Sequence, residues 1–169
     1  MSSLVDDFVT NNRELIRRID VEKEPSFLVW ANDRFRRFLF LVSANYFEVE
    51  IKNTLLTLVR TKAGSPLVTT FLEKSMERRY HEWFAWETNN ANRFFSMFGS
   101  QFKTQAEAEV NDSEELESAV RAFMEIGRTR NVLVHEQLLV NPVDKTPDEV
   151  YALHNRALPF LEYLKRKLV

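Results

Sequence analysis

The sequence has no cysteine and little glycine, and each shortage excludes a class of protein. Without cysteine the chain has no disulfide, no thiolate metal site and no cysteine nucleophile. Three glycines in 169 residues are too few for a turn-rich β fold, so helices are favoured. The histidines, His81, His135 and His154, are not at metal-ligand spacing from one another. We therefore expect an all-α fold with no metal and no other cofactor.

Long hydrophobic runs and an excess of positive charge are also missing. No stretch approaches about 18 uncharged apolar residues, so we expect no membrane partner. The start of the chain, MSSLVDDFVTNNRE, lacks the basic residues and the apolar run of a signal peptide, and the expected location is the cytoplasm. Because the formal net charge is −2, any nucleic-acid site must concentrate its cations locally. The length fits one domain over residues 1–169.

Apolar spacing and capping signals predict the helices. They cover residues 3–20, 26–62, 66–79, 89–98 and 113–136, and a last helix opens at Thr146-Pro147-Asp148-Glu149. Residues 99–111 are predicted to be a polar connection, followed by a capping box of Asp112 and Glu115. The first helix is expected to bury one stripe, which consists of Leu4, Phe8, Leu15, Ile16 and Ile19.

The long second helix carries two apolar stripes roughly 150° apart. The first runs through Phe35, Leu39, Val42, Tyr46, Val49 and Leu56, and the second through Phe40, Ala44, Phe47, Ile51, Leu55 and Leu58. One stripe can bury against the bundle. The other needs a further cover, either more of the same chain or another subunit, and this favours a two-fold homodimer.

The segment RTRNVLVHE, residues 128–136, carries the polar groups best suited to chemistry: Arg130, Asn131 and His135. It resembles the R-N-x-x-x-H motif of HEPN-domain ribonucleases, which lies near the end of a late helix. The stretch RFLFLVSANYFEVEIKNTLL is similar to the S-x-x-x-x-E region of an early helix in the RiboL-PSP-HEPN subgroup. ETNNANRFFSMFG and TPDEVYALHNRALPFLEYL also look like that subgroup, so the resemblance covers most of the chain from about residue 30 onward.

This resemblance implies a HEPN-type helical bundle with additional short helices, acting on RNA as a homodimeric, metal-independent endoribonuclease. The expected products are a 2′,3′-cyclic phosphate and a 5′-hydroxyl. The resemblance also implies a toxin or phage-defence effector, with a neutralising antitoxin or another defence protein as a further partner. The alternative is a non-catalytic HEPN domain that binds RNA, a nucleotide or a partner protein, and a third reading is a helical interaction module with a chance motif.

Side-chain chemistry agrees with the catalytic interpretation. Histidine titrates near neutral pH and can take or give the proton of a ribose hydroxyl, while arginine can donate two parallel hydrogen bonds to phosphate. Asn131 lies one helical turn before His135, so its amide can orient the imidazole. Arg130 lies about 140° from His135 around the helix axis, so a partner subunit that brings a second motif into the cleft would help.

Each candidate also has a structural interpretation. His135 can serve the helix C-terminus, Arg130 can form a surface ion pair, and Asn131 can be a helix-end residue. Glu48 corresponds to the acid of the early helix and either positions the motif or pairs with Lys52.

The remaining candidates are cations and aromatic residues. Arg121 and Arg128 are candidates for RNA binding. The aromatic residues at 80–86 are core or base-stacking groups, with core favoured. Ser43 is expected to be a buried or interface hydroxyl, and His81 and His154 to be surface residues.

Overall fold

A computed structural model describes residues 3–135 and 143–169, and every regular element in these ranges is helical. The α-helices are α1 (Leu4–Val21), α2 (Pro25–Lys62), α3 (Pro66–Met76), α4 (Asn92–Ser96), α5 (Ser100–Asn111), α6 (Glu114–His135) and α7 (Pro147–Leu168). A single 3-10 turn, Tyr80–Glu82, lies between α3 and α4. The prediction of an all-α fold with a long second helix and additional short helices is confirmed.

Capping residues explain where several helices begin. Ser3 and Asp6 form a reciprocal capping box at the start of α1, and Thr146 and Glu149 form one at α7. Proline is the first residue of α2, α3 and α7, where its missing N–H has no helical partner to lose. The helix starts were therefore readable from the sequence.

The chain forms two compact units, and α2, α6 and α7 contribute to both. The first unit comprises Met1–Tyr46 and Ile126–Asn155, and the second comprises Phe47–Glu125 and Arg156–Val169. The prediction of one domain over residues 1–169 stays a prediction.

In the first unit, α1 is joined to α2 and α7. The rings of Phe8 and Phe35 lie 5.8 Å apart. The Tyr151 hydroxyl donates a 2.7 Å hydrogen bond to Asp6, and Arg13 pairs with Asp148 at 2.7 Å. Because Tyr151 donates to its carboxylate, the pKa of Asp6 is lowered.

The core of the second unit is aromatic. The Phe123 ring of α6 lies 5.5 Å from Phe47, 4.9 Å from Phe84 and 5.1 Å from Phe160. Phe84 also stacks on Phe94 at 4.8 Å. Edge and stacked ring contacts of this kind add to the burial of apolar area, so this cluster fixes the irregular chain between α3 and α4.

The second predicted stripe of α2 is largely buried by the chain itself, whereas the first is buried only in part. Phe35 and Leu39 of the first stripe are buried, as are Phe40, Phe47 and Ile51 of the second. The same chain therefore covers one stripe of α2 almost completely and the other incompletely. Val49 of the first stripe remains 45% exposed.

Several sequence predictions were wrong in detail. Residues 99–111 are not a polar connection, because α5 occupies them and buries Ala106 and Val110, one turn apart, beneath a polar surface. Asp112 is the C-cap of α5, and the Ser113 hydroxyl instead accepts the Leu116 backbone N–H at the start of α6. In α1, Leu4 and Leu15 are exposed, while Val5 and Val9 are buried in their place.

Two helices are shorter than predicted. The third ends at Met76 rather than near residue 79, and the fourth spans Asn92–Ser96 rather than 89–98. Arg78 follows the third helix in the left-handed region, with φ of 64°, which a continuing helix does not allow. Within residues 3–135 and 143–169, no helix combines the length and the hydropathy that crossing a membrane requires.

Candidate functional site

The Arg130–His135 segment forms the last described turns of α6 (Glu114–His135), and His135 is the last residue described there. Ile126 and Leu133, two turns apart on the same face, are each 1% exposed and anchor this end of the helix. Asn131 and His135 lie on the opposite face, about 40° apart around the axis. The apolar anchors therefore direct the polar motif residues away from the core.

Arg130 is half-buried, and its guanidinium is held by its neighbour. Its Nη1 donates a hydrogen bond of 3.2 Å to the side-chain oxygen of Asn131. Because Asn131 lies between Arg130 and His135 in angle, this contact turns the guanidinium towards the face that carries His135. The Asn131 amide oxygen thus contacts the arginine of the motif, and the expectation that this amide orients the imidazole stays a prediction.

His135 is exposed at the end of α6, whereas Arg130 and Asn131 are half-buried. An exposed imidazole at a helix C-terminus is accessible to a large ligand such as RNA. A position near the end of a helix also suits a histidine that interacts with the helix dipole. Residues 136–142, which include the end of the predicted helix at 136, lie outside the described residues.

The two cations predicted to bind RNA differ in environment. Arg128 is half-buried in the last part of α6. Arg121 is 62% exposed at its side chain and pairs with Glu117 one turn earlier. Such exposed pairs contribute little to stability, so the Arg121 guanidinium can exchange its partner at low cost.

Glu48 forms the predicted pair with Lys52, one turn along α2. Its other oxygen lies 3.8 Å from Nε2 of His81, and Lys52 also lies over the Tyr80 ring at 6.0 Å. Glu48 therefore holds the 3-10 turn against α2 within the second unit. These contacts favour the structural interpretation of this residue.

Burial decides two further predictions, one on the aromatic residues at 80–86 and one on Ser43. The aromatic residues of the 80–86 segment are core rather than stacking platforms, since Tyr80, Trp83, Phe84 and Trp86 are at most 7% exposed. Ser43 is fully buried, as expected.

His154 is not a surface residue: it is 1% exposed and its ring meets the Tyr46 ring at 5.2 Å. Burial lowers the pKa of His154 to about 4, partly offset by the charge of Asp6. The signal for this burial was present in the sequence, because His154 lies one turn after Val150 and next to Leu153 on the buried stripe of α7.

Potential metal ligands do not converge in the part of the chain that the structure describes. No three histidine, aspartate or glutamate side chains are grouped there so that they would hold a metal ion. The chemistry available at the end of α6 is that of an imidazole, a guanidinium and an amide.

Comparison with known proteins defines the class of this helical domain. The RiboL-PSP-HEPN family model matches residues 6–169, and the chain belongs to that family. The broad class is therefore a HEPN-type domain of RNA-related or nuclease character. No curated protein matches the chain, and no solved structure matches it either.

Proposed function

We propose that this protein is a metal-independent endoribonuclease in which His135 and Arg130 are the catalytic residues. The observation that supports the proposal is the hydrogen bond at the end of α6 from the Arg130 guanidinium to the Asn131 amide, one helical turn before an exposed His135. Membership of a HEPN family supports the choice of RNA as substrate.

The reaction needs a base, a leaving-group acid and a group that stabilises negative charge. One imidazole takes the proton from a ribose 2′-hydroxyl, whose oxygen then attacks the adjacent phosphorus. The bond from phosphorus to the 5′-oxygen breaks, and that oxygen takes a proton. This leaves a 2′,3′-cyclic phosphate and a 5′-hydroxyl, with no water consumed. The guanidinium donates to the non-bridging oxygens as their charge grows.

A homodimer completes this site in the proposal. One chain supplies one motif histidine, whereas the reaction uses a base and an acid. A two-fold partner supplies a second imidazole and a second guanidinium to the same cleft. Exposed apolar side chains that support self-association are Phe27, Val29 and Trp30 on α2 and Leu67 and Phe71 on α3.

The proposed cellular role is cleavage of host RNA, as a toxin or phage-defence effector in the cytoplasm. A neutralising antitoxin or another defence protein would be its partner. This part of the proposal depends on the family alone. The alternative is a non-catalytic HEPN domain that uses the same Arg130 and His135 to bind RNA or nucleotide.

The test is to incubate purified protein with total cellular RNA in EDTA and to analyse the ends of the products. Wild type is compared with His135→Ala and Arg130→Ala, and with Arg156→Ala as a matched control on an exposed part of α7. We expect wild type and Arg156→Ala to cleave the RNA and leave cyclic-phosphate ends. We expect no cleavage by His135→Ala or Arg130→Ala.

Circular dichroism and light scattering check that each variant keeps its fold and association state. RNA binding without cleavage in wild type would establish the binding-module alternative. If His135→Ala cleaves as well as wild type, the assignment of the catalytic residue is wrong.

A further inference from the structure

A polar groove of about 600 Å³ lies in the second unit, between the chain around α4 and the facing sides of α5 and α6. Its walls carry four asparagines, Asn89, Asn90, Asn92 and Asn111. Three of them belong to the ETNNANRFF segment, which resembles the family and has no part in the function proposed above. None of the motif residues of α6 lines this groove.

The floor of the groove is apolar and buried. Ala91, Phe95, Val110 and Val120 line it, and each is at most 8% exposed. Buried apolar residues hold the floor in place, while the polar side chains stand on its walls. Because these apolar residues expose so little surface, a ligand in the groove meets mainly the polar side chains of its walls.

An asparagine amide can both donate hydrogen bonds to a ligand and accept them from it. Asn89, Asn90 and Asn111 are exposed, and Asn92 is half-exposed. The Asn90 side-chain oxygen accepts the Asn92 backbone N–H at 3.1 Å, and this contact fixes the Asn90 side chain against its own segment. An amide presents a donor and an acceptor side by side, as the edge of a nucleobase does.

Charge decides which part of a nucleotide fits these walls. Two carboxylates, Glu107 and Glu117, line the groove with one guanidinium, Arg121. A run of phosphates is repelled by this balance, whereas a single phosphate can be held at Arg121 when it exchanges its partner Glu117. Carboxylates only accept hydrogen bonds, so they favour bases with an exocyclic amino group.

We propose that this groove binds one unpaired nucleobase of single-stranded RNA, with its edge on the asparagine amides and its phosphate at Arg121. Guanine, adenine and cytosine carry an exocyclic amino group that can donate to the carboxylates, whereas uracil has one ring N–H between two carbonyl oxygens, which the carboxylates repel. The groove is thus a specificity site that selects which nucleotides of an RNA the protein engages. This inference rests on the proposed function, because RNA is the ligand in both.

The experiment is an NMR titration of the ¹⁵N-labelled full chain with 5′-nucleoside monophosphates. Side-chain NH₂ signals of asparagine report the contact directly, and Asn92→Ala and Asn111→Ala assign the signals by their loss. Asn53→Ala, an exposed asparagine on α2 outside the groove, is the matched control. Because a monophosphate has no phosphodiester bond to cleave, the titration does not depend on catalysis.

We expect GMP, AMP and CMP to shift the NH₂ signals of Asn92 and Asn111 saturably at millimolar concentration, and UMP to bind at least several-fold more weakly. Each alanine variant should weaken binding by about three- to tenfold, the loss expected for one neutral hydrogen bond, and Asn53→Ala should leave it unchanged. Backbone amide spectra confirm that the variants are folded.

Shifts of equal size with UMP or with ribose 5-phosphate would overturn the proposal, because they would show that the base edge is not recognised. Binding that is insensitive to both groove variants would overturn it as well. If the nucleotides bind as expected but the wild-type protein cleaves no RNA, the groove stands and the proposed function falls.

Discussion

The Arg130 guanidinium and the Asn131 side-chain oxygen are joined by a hydrogen bond of 3.2 Å at the end of α6. Adjacent residues of a helix diverge by about 100°, so such a contact requires the long arginine side chain to fold around the helix. This hydrogen bond uses one of the five guanidinium donors on a neutral acceptor, so the positive charge of Arg130 is not neutralised. Asn131 therefore acts as a positioning residue for Arg130 in the proposed mechanism.

The first prediction concerns this contact. Asn131→Ala should lower the cleavage rate by about tenfold, because the guanidinium loses its support, and Asn131→Asp should lower it by about a hundredfold, because a carboxylate binds and neutralises the cation. Single-turnover cleavage rates measure both effects. If the two variants cleave RNA at the wild-type rate, Asn131 is only a helix-end residue.

Arg130→Lys tests the need for the planar guanidinium. A lysine keeps the charge but presents it as a point, so it loses both the contact with Asn131 and paired hydrogen bonds to phosphate. We expect a loss of about a hundredfold in cleavage rate with RNA binding largely retained. Full activity in this variant would mean that charge alone is sufficient. Electrophoretic mobility shifts provide the binding measurement.

Removal of divalent metal should not affect cleavage. The proposed chemistry uses an imidazole and a guanidinium, and the described residues offer no group of three acids or histidines for an ion. The initial cleavage rate is compared with and without EDTA, and again after magnesium is added back. Activity that disappears with the chelator and returns with magnesium contradicts the mechanism.

Association into a dimer should be visible in solution. Leu67 is 85% exposed and Phe71 is 70% exposed on α3, and a surface with such residues gains stability when a second copy covers it. Light scattering at micromolar concentration should give twice the 20.0 kDa of one chain. A stable mass of one chain at that concentration contradicts both the dimer and the composite site.

Stability should fall in mild acid because of His154. Its pKa is lowered to about 4 in the folded protein, whereas the unfolded chain takes up a proton near pH 6.5. Between these values the unfolded state binds more protons, so the free energy of unfolding decreases as the pH falls from 6.5 towards 4. The histidine alone accounts for a loss of about 2 kcal/mol between pH 7.5 and pH 5.

Urea unfolding at the two pH values measures this loss, with His154→Gln as the control. The glutamine variant does not titrate, so it isolates the contribution of His154 from that of the carboxylates. The pH dependence of the variant should be smaller by about 2 kcal/mol over the same interval. An identical pH dependence in both proteins would show that His154 is not buried in its neutral form.

The sequence by itself determined where most helices begin and which polar residues are proposed for the chemistry. Ser3, Pro25, Pro66 and the Thr146–Glu149 box act on neighbouring backbone groups, so their effect is local and readable without a structure. The Arg130, Asn131 and His135 pattern is local for the same reason, since three positions on one helix fix their relative angles.

Tertiary structure decided which faces are buried. Three apolar residues, Phe102, Ala106 and Val110, are too few to predict a helix face in an otherwise polar stretch. The structure forms α5 there because Phe102 packs against Phe95 and Phe98 of the preceding chain. Leu4 and Leu15 fit an apolar stripe of α1 but are exposed, because the partners of α1 lie on the side of Val5 and Val9.

The asparagine-lined groove could not be recognised without the tertiary structure. Asn92 and Asn111 are 19 positions apart in the chain and line one groove only because α4 and α5 pack against each other. Hydrophobic periodicity records the faces of each helix, but it carries no information about which distant polar residues are brought together. That depends on how helices pack, and packing is set by side chains far apart in the sequence.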